Sequence, residues 1–262
     1  MSFLHAIEPV YVLAGFVVGA LVGITGVGGG ALMTPILIFF GIPPITAVGT
    51  DLLYASLTKT GGTLVHGYNH TVDWRVVVRL ATGSIPGAAL TLFTLYELHI
   101  SSEGTQDLIT KVLGIALLLT ALALVFRKPL TRFYARRVGE LDPERVRRLT
   151  IAAGALLGVM VSISSVGAGA IGATMLILLY PKMSTARIVG SDIAHAVPLT
   201  LAAGLGHWML GSINWMLLAT LLVGSLPGIF VGSYLAARLP DTVVRLSLAG
   251  TLLIVCAKLL LF

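Results

Sequence analysis

Charged residues are scarce in this sequence. Of its 262 residues, 17 are Lys or Arg and 11 are Asp or Glu, whereas 56% are apolar. A soluble domain of this composition would expose far too much apolar surface to stay dissolved. The composition therefore predicts an integral membrane protein, long enough for up to roughly eight spans of about 20 apolar residues each.

Three further absences narrow the class of protein. Cys256 is the only cysteine, which excludes an intramolecular disulfide and a CxxC metal site, and we expect neither a metal nor a cofactor. No Lys or Arg precedes the first apolar stretch, so we expect that stretch to be a membrane segment and not a cleavable signal peptide. The alternation of β-barrel strands is also missing, so the sequence predicts an all-α polytopic membrane protein.

Positive charge is concentrated in one stretch. The net charge is +6, and eight of the 17 basic residues lie between Arg127 and Arg148. This pattern is typical of a cytoplasmic loop that obeys the positive-inside rule, and it does not indicate a nucleic-acid partner. We predict a first membrane repeat over residues 1–128, a basic cytoplasmic linker over 129–148 and a second membrane repeat over 149–262. The expected location is the inner (plasma) membrane of the cell, crossed several times.

The two membrane parts are copies of one unit. A shift of 139 residues lays Gly28 on Gly167, and a shift of 141 lays Asp51 on Asp192 and the Gly-Ser-Ile-Pro-Gly of 83–87 on the Gly-Ser-Leu-Pro-Gly of 224–228. Such self-similarity indicates repeated structural units. Each unit begins with a Gly-rich segment (10–40 and 150–180), and the ordinary helices that follow are predicted at 45–68, 74–96, 108–127, 185–209, 214–236 and 241–261.

The Gly-rich segments are predicted to enter the membrane and return. If the second one crossed once, Lys182 and Arg187 would lie outside, against the positive-inside rule. If it dips in and returns, both lie inside, and the two halves are inverted copies. Two half-helices meeting near the midplane fit a segment of this length at about 1.5 Å per residue. Inverted repeats with broken helices are typical of transporters.

The breaks are predicted to bind an anion through the backbone. They read Gly-Ile-Thr-Gly-Val-Gly-Gly-Gly over 23–30 and Ser-Ile-Ser-Ser-Val-Gly-Ala-Gly over 162–169. The half-helix after each break starts with unpaired N–H groups and the positive end of the helix dipole, which favour negative charge. The alternative is close helix packing by small residues, which we favour for Gly15, Gly19 and Gly23. The predicted binding residues are Thr25, Gly26, Gly28, Gly29, Gly30, Ser164, Ser165, Gly167 and Gly169.

The next helix of each half carries a polar stripe. Asp51, Lys59 and His66 share one face, and their counterparts are Asp192, Thr200 and His207. A Lys or Asp at the membrane centre costs roughly 2.5–3.5 kcal/mol, so such residues usually mark a pathway. We predict that Lys59 compensates the substrate charge; its alternative is a structural pair with Asp51 or Asp192. Stabilisation of a first helical turn remains an alternative for the aspartates, as simple packing does for His195. The predicted pathway or ion-coupling residues are Asp51, His66, Asp192, His195 and His207.

These segments carry a family resemblance. The stretch GITGVGGGALMTPIL, its copy SISSVGAGAIGATML, and the pair GTDLLYAS and GSDIAHAV resemble the sulfite exporter TauE/SafE family of membrane permeases over nearly the whole chain. The resemblance implies a bacterial-type inner-membrane carrier with roughly eight membrane segments. It also implies movement of sulfite, sulfonates or related organosulfur anions.

The expected function is secondary transport: we predict export of a small sulfur-containing oxyanion by alternating access between the two breaks. No Walker A motif is present, so the driving force is expected to be the substrate gradient or a coupling ion, a proton or sodium. A homodimer is a further expectation. The alternatives are a passive anion channel and an intramembrane hydrolase that pairs Ser164 or Ser165 with His195 or His207, although no GxSxG surrounds either serine. We predict no enzyme activity.

Overall fold

The computed structural model describes residues 8–25, 30–97, 103–137, 142–236 and 241–261. Within these ranges the chain forms ten helices and no strands. This confirms the all-α fold expected from the composition. In chain order the helices are α1 (Pro9–Thr25), α2 (Gly30–Phe39), α3 (Pro44–Tyr68), α4 (Trp74–Glu97), α5 (Glu103–Arg137), α6 (Pro143–Ser164), α7 (Ala170–Leu179), α8 (Thr185–Met209), α9 (Trp215–Ala236) and α10 (Asp241–Leu261).

Each Gly-rich segment is divided into two helices. In the first half α1 ends at Thr25 and α2 begins at Gly30, and in the second half α6 ends at Ser164 and α7 begins at Ala170. Helices α2 and α7 have 10 residues each, so each is about 15 Å long. This is half of the roughly 30 Å hydrocarbon core. Neither helix crosses the membrane by itself.

The remaining helices begin and end close to their predicted positions, with one clear difference. Helix α5 has 35 residues, about 52 Å at 1.5 Å per residue, and continues to Arg137, beyond residue 128 where the linker was expected to begin. Its length exceeds the hydrocarbon core. The first part of the basic linker is therefore a helical extension of α5, and the Asp142 side chain caps the start of α6 by accepting the amide hydrogens of Glu144 and Arg145.

By length and apolar composition, five helices among the described residues qualify as membrane spans: α4, α5, α6, α8 and α9. Helix α3 was predicted to be a span and has 25 residues, but it is not one of the five. Asp51, Lys59 and His66 lower its apolar content, and the first two of these side chains are buried inside the protein. These two charged side chains therefore contact other helices and not lipid.

The packing follows the internal repeat. Helix α1 packs against α9 of the other half, and α6 packs against α4. A Cβ on Gly19 would lie 2.5 Å from the backbone oxygen of Ser225, and a Cβ on Gly158 would overlap the backbone oxygen of Ser84. These two contacts are repeat counterparts. Glycines therefore bring the helix backbones into contact, and each half holds the first helix of the other.

The two polar helices run antiparallel. Leu53 of α3 packs against Gly204 of α8, and Gly62 of α3 packs against Ile193 of α8. Residue numbers thus rise along one helix as they fall along the other.

Helix α2 runs back toward the side on which α1 began. Phe16 packs against Gly228 and Ala20 against Gly232, so α1 and α9 are parallel. Helix α9 follows α8 through a short turn and returns alongside α3, which gives α1 and α3 the same direction. Helix α2 joins the end of α1 to the start of α3. It must therefore run in the opposite direction to both, as a re-entrant segment does.

The bundle has two polar ends, which we name by their position relative to the connection between α5 and α6. At the linker rim, Arg187 forms an ion pair with Asp73 at 3.0 Å, and the hydroxyls of Thr150 and Tyr180 are 2.8 Å apart. At the opposite end, the distal rim, the amide of Asn214 donates to Thr50 Oγ1 at 3.1 Å and the amide of Ile45 donates to Gln106 Oε1 at 3.1 Å.

Candidate functional site

The break between α6 and α7 has a backbone conformation that needs glycine. Gly167 has φ 125° and Gly169 has φ 129°, values that residues with a side chain rarely adopt. Ser165 is also left-handed, with φ 58°. The Ser164 hydroxyl accepts the amide hydrogen of Val166 at 3.2 Å. Ser164, predicted as a binding residue, thus stabilises the turn, while the two glycines give the chain its reversal.

The break leaves backbone amides at the start of α7. The first hydrogen bonds there are donated by Gly172 to the Gly167 oxygen at 3.1 Å and by Ala173 to the Gly169 oxygen at 3.0 Å. The amides of residues 168–171 lie ahead of these bonds. Such amides have no acceptor within their own helix, and the positive end of the helix dipole lies at the same place.

The first break is only partly described. Gly26, Gly28 and Gly29 lie outside the described residues, and so does the side chain of Thr25, which is the last residue of α1. Gly30 is the first residue of α2. Their assignment to a binding loop stays a prediction.

Lys59 joins α3 to the second break. Its side chain is buried, with 6% of the residue exposed, and its ammonium group donates to the backbone oxygen of Ala168 at 3.3 Å. Lys59 lies between the contacts that Ser56 and Gly62 make with α8. The only lysine of the polar stripe is thus at the centre of the α3–α8 contact, beside the unwound backbone.

Asp51 is fully buried on α3. Its Oδ2 atom accepts the hydroxyl hydrogen of Thr34 on α2 at 2.5 Å. The Ser165 hydroxyl interacts with the same carboxyl group, although neither Ser165 Oγ nor Asp51 Oδ1 has a partner in hydrogen-bonding geometry among the described residues. Asp51 therefore lies between the half-helix of its own repeat and the break of the other repeat.

Asp192 occupies the matching place on α8. It is 2% exposed, and a Cβ on Gly172 of α7 would overlap its Oδ1 atom. Each aspartate thus contacts the half-helix of its own repeat. Asp51 and Asp192 both act electrostatically on Lys59, but Asp51 lies eight residues, about 12 Å of helix rise, from the lysine. In the described part of the chain Asp51 accepts from Thr34 and Lys59 donates to the Ala168 oxygen, with no ion pair between the two.

The ring of His195 is buried between two helices. Its Nε2 atom lies 2.8 Å from the hydroxyl of Ser84 on α4, and its Nδ1 atom has no hydrogen-bond partner among the described residues. The repeat counterparts of His195 and Ser84 are Tyr54 and Ser225, but the Tyr54 hydroxyl has no hydrogen-bond partner among the described residues. The ring of His195 is directed into the other repeat, where it fixes α8 against α4.

His207 and His66 also occupy matching places. His207 is fully buried; its Nε2 atom is 2.9 Å from the backbone oxygen of Ser162, and its Nδ1 atom is 3.1 Å from Ser212 Oγ. His66 is half-buried, and its Nδ1 atom lies 2.8 Å from Thr71 Oγ1. Each ring binds the hydroxyl five residues ahead. Among the described residues, only His207 of these two histidines also binds the end of a broken helix.

Sequence reasoning missed Thr34 and Ser84, the hydroxyls that bind Asp51 and His195. A signal for Ser84 was present, because it lies in the Gly-Ser-Ile-Pro-Gly motif that recurs with Ser225 in the second half. That motif shows which residues are equivalent, but not which helix of the other repeat they face. Only the packing of α4 against α8 supplies the partner.

Comparisons with known proteins identify the group of proteins to which this bundle belongs. The family model for the sulfite exporter TauE/SafE matches residues 11–259. The chain belongs to the TauE/SafE family. This TauE/SafE protein is 41% identical over 250 residues to "Probable membrane transporter protein YjnA" of Bacillus subtilis (strain 168), covering 95% of this chain and 98% of that one.

A second relative covers a similar share of the TauE/SafE protein. It is "Probable membrane transporter protein YdhB" of the same organism, 28% identical over 239 residues, with 89% of this chain and 92% of that one covered. No solved structure gives a significant match. Family and relatives together identify an integral membrane transporter.

Proposed function

We propose that this protein is a secondary transporter that exports a small sulfur-containing oxyanion, such as sulfite or an organosulfonate, across the inner (plasma) membrane. The substrate would bind near the midplane, between the two Gly-rich breaks, and reach either side by alternating access. The observation that carries the proposal is the Lys59 ammonium group at 3.3 Å from the unwound backbone of the second break.

The break supplies the hydrogen-bond donors of the proposed site. The amides of residues 168–171 precede the hydrogen bonds of α7, and the dipole of α7 adds partial positive charge at the same place. An oxyanion has several acceptor oxygens and suits such a cluster of N–H donors. In the membrane interior these donors need a partner, and the substrate provides one during transport.

Lys59 supplies the full positive charge. Its present acceptor, the Ala168 oxygen, belongs to the same break as the amides of residues 168–171, so a small movement of the side chain would bring the ammonium group to a bound anion. The repeat counterpart of Lys59 is Thr200, which donates its hydroxyl hydrogen to the Ala196 oxygen at 2.8 Å. The charge is therefore supplied by the first half alone.

The two aspartates suggest a coupling cation. Asp51 and Asp192 are buried on either side of Lys59, so the ionised site would hold two negative charges and one positive charge before any anion enters. Binding a further negative charge there is unfavourable in a low-dielectric interior. A proton or sodium ion taken up at an aspartate removes this repulsion, which would couple anion transport to a cation gradient.

The packing supports an inverted repeat with alternating access. Counterpart helices α3 and α8 run antiparallel, and the half-helices α2 and α7 have only 10 residues each. Broken helices at the interface of inverted repeats are a common architecture of secondary transporters. A passive channel would instead require a continuous water-filled path past Lys59, which is 6% exposed.

Nothing in the geometry of the two serines favours the hydrolase alternative. The Ser164 hydroxyl donates to the Met160 oxygen at 2.7 Å, as it would in an ordinary helix end. His195 contacts Ser84 instead of either serine of the break, and His207 contacts the Ser162 backbone oxygen. A nucleophile needs a base within hydrogen-bonding reach, and this arrangement provides none for Ser164.

The test is sulfite uptake by proteoliposomes that contain purified protein. Lys59→Ala should abolish saturable flux, whereas Lys59→Arg should retain part of it, because it keeps the charge with a different geometry. Thr200→Ala, the change at the repeat counterpart, serves as the matched control and should leave most of the flux. Wild-type flux in Lys59→Ala would remove the lysine from the site.

A further inference from the structure

The two halves of the bundle are not packed alike at their ends. Ala203 of α8 is fully buried, whereas its counterpart Gly62 on α3 is partly exposed. At the start of the same helices, Ile45 of α3 is buried and its counterpart Ala186 of α8 is exposed. The end of α8 and the start of α3 lie at the distal rim, so at these positions the distal rim is more tightly packed than the linker rim.

His207 makes the contact that closes the distal rim. Because the Ser162 backbone oxygen can only accept, the Nε2 atom of His207 must donate in the 2.9 Å contact. In a neutral ring Nδ1 is then an acceptor, and at 3.1 Å it shares the single hydrogen of the Ser212 hydroxyl with the His207 backbone oxygen at 2.8 Å. The imidazole therefore ties the last turn of the broken helix α6 to α8, beside Gly49 at the start of α3, whose Cβ would lie 3.0 Å from the His207 Cβ.

His66 occupies the same place at the linker rim. A Cβ on Gly190, the counterpart of Gly49, would lie 3.0 Å from its Nδ1 atom, and its bond to Thr71 matches that of His207 to Ser212. The counterpart of Ser162 is Gly23, near the end of α1. Among the described residues, His66 forms no hydrogen bond to Gly23, so the one contact that distinguishes the two rims is the bond to a broken helix.

We propose that His207 and His66 are matched gate residues, each of which closes its own rim by donating from Nε2 to the end of a broken helix of one repeat. The structure is then the state that is closed at the distal rim and open at the linker rim. In the opposite state His66 donates to the Gly23 oxygen and His207 releases Ser162. This inference rests on the alternating access proposed above, and it assigns a positioning role to both histidines.

We expect the opposite state, closed at the linker rim, because each repeat can adopt the conformation that the other has here. Each repeat has the same elements and the same histidine, and alternating access in such proteins largely moves one repeat against the other. A buried hydrogen bond that exists in one state only biases the equilibrium between the states. Loss of one such bond is expected to change the ratio of the two states by roughly five-fold.

The experiment measures cysteine accessibility on the polar stripe from each side of the membrane. In a Cys256→Ala background, Gly62→Cys reports on the linker rim and its counterpart Ala203→Cys on the distal rim. The probe is a trimethylammonium methanethiosulfonate, which does not cross the membrane. The orientation of the protein in the vesicles is assigned from the labelling of Ala186→Cys at the linker rim. Gly62→Cys should react from the linker side at least roughly ten-fold faster than Ala203→Cys reacts from the distal side, since the linker rim is open.

Adding His207→Ala should raise the labelling rate of Ala203→Cys roughly four- to five-fold, as expected from the loss of one buried hydrogen bond, without raising that of Gly62→Cys. His207→Gln keeps a donor near the position of Nε2 and should restore the slow rate. His66→Ala should have the opposite effect, lowering the labelling of Ala203→Cys. A simultaneous rise of both rates in His207→Ala would indicate local unfolding and overturn the gate, as would an unchanged rate at Ala203→Cys.

This readout needs no substrate, so it separates the gate from the identity of the anion. If His207→Ala shifts accessibility as expected while no sulfite flux is found, the gate stands and the substrate assignment is wrong. If flux depends on Lys59 but accessibility does not respond to either histidine, the binding site stands and the gate is wrong.

Discussion

Replacing Gly19 by alanine should separate α1 from α9. The new Cβ would lie 2.5 Å from the Ser225 backbone oxygen and 2.8 Å from the Ser225 Cα, whereas ordinary van der Waals contacts are about 3.5–4.0 Å. Both neighbours are backbone atoms, so no side chain can rotate away. The two helices must move apart by about 1 Å along this line, which also loosens neighbouring contacts.

The cost of such overpacking is typically about 1–3 kcal/mol. At about 2–4 °C per kcal/mol for a chain of 150–250 residues, Gly19→Ala should lower the Tm by roughly 2–12 °C. The assay is thermal unfolding of detergent-purified protein, followed by the loss of the monodisperse peak in size-exclusion chromatography.

Gly61→Ala is the matched control. Gly61 lies within α3, and a Cβ there meets nothing within 4 Å, so this change removes backbone flexibility without any clash. It should leave the Tm unchanged or raise it, because alanine favours a helix by up to about 1 kcal/mol over glycine. Gly158→Ala, the repeat counterpart, should behave like Gly19→Ala. A Tm for Gly19→Ala equal to that of Gly61→Ala would refute the view that glycines set the distance between these helices.

Three further predictions concern the site and the linker rim. Thr34→Val removes the hydroxyl that donates to Asp51 at 2.5 Å and should lower sulfite flux in proteoliposomes several-fold, whereas Thr34→Ser should keep it; equal flux in the two variants would contradict a role for this bond. Gly169→Ala forces a side chain onto φ 129°, a strain of roughly 1–3 kcal/mol, and should lower both Tm and flux. Asp73→Asn breaks the ion pair with Arg187, whose side chain is 49% exposed; exposed pairs contribute at most about 1 kcal/mol, so a Tm loss above about 4 °C would show a larger role than we assign.

The helices and the breaks could be predicted from the sequence because both depend on local features. Apolar runs set the helices, and Gly167 and Gly169 set the interruption between α6 and α7; residues 26–29 of the first Gly-rich segment lie outside the described residues. The extension of α5 to Arg137 was missed because a charged segment was interpreted as a loop. Charge shows that a segment lies in water, but Arg and Lys are good helix formers and do not end a helix.

The sequence could propose candidate residues for the site, but not their contacts. The polar stripe identified Lys59 because a buried cation in a membrane helix has few structural uses. Its acceptor, the Ala168 oxygen, is a backbone atom more than a hundred positions away, and no side-chain pattern indicates it. The partner of His195 was out of reach for a related reason, because Ser84 lies on α4, more than a hundred positions away in the chain.

The exchange of first helices between the halves has a consequence for synthesis in the cell. Helix α1 ends at Thr25, but its main packing partner α9 begins at Trp215. At roughly 5–20 residues per second, a ribosome needs on the order of 10–40 s to complete that interval. During this time the glycine face of α1 lacks its packing partner α9. Helix α1 must therefore stay in the lipid, or bound to an insertion factor, until the ribosome has synthesised α9.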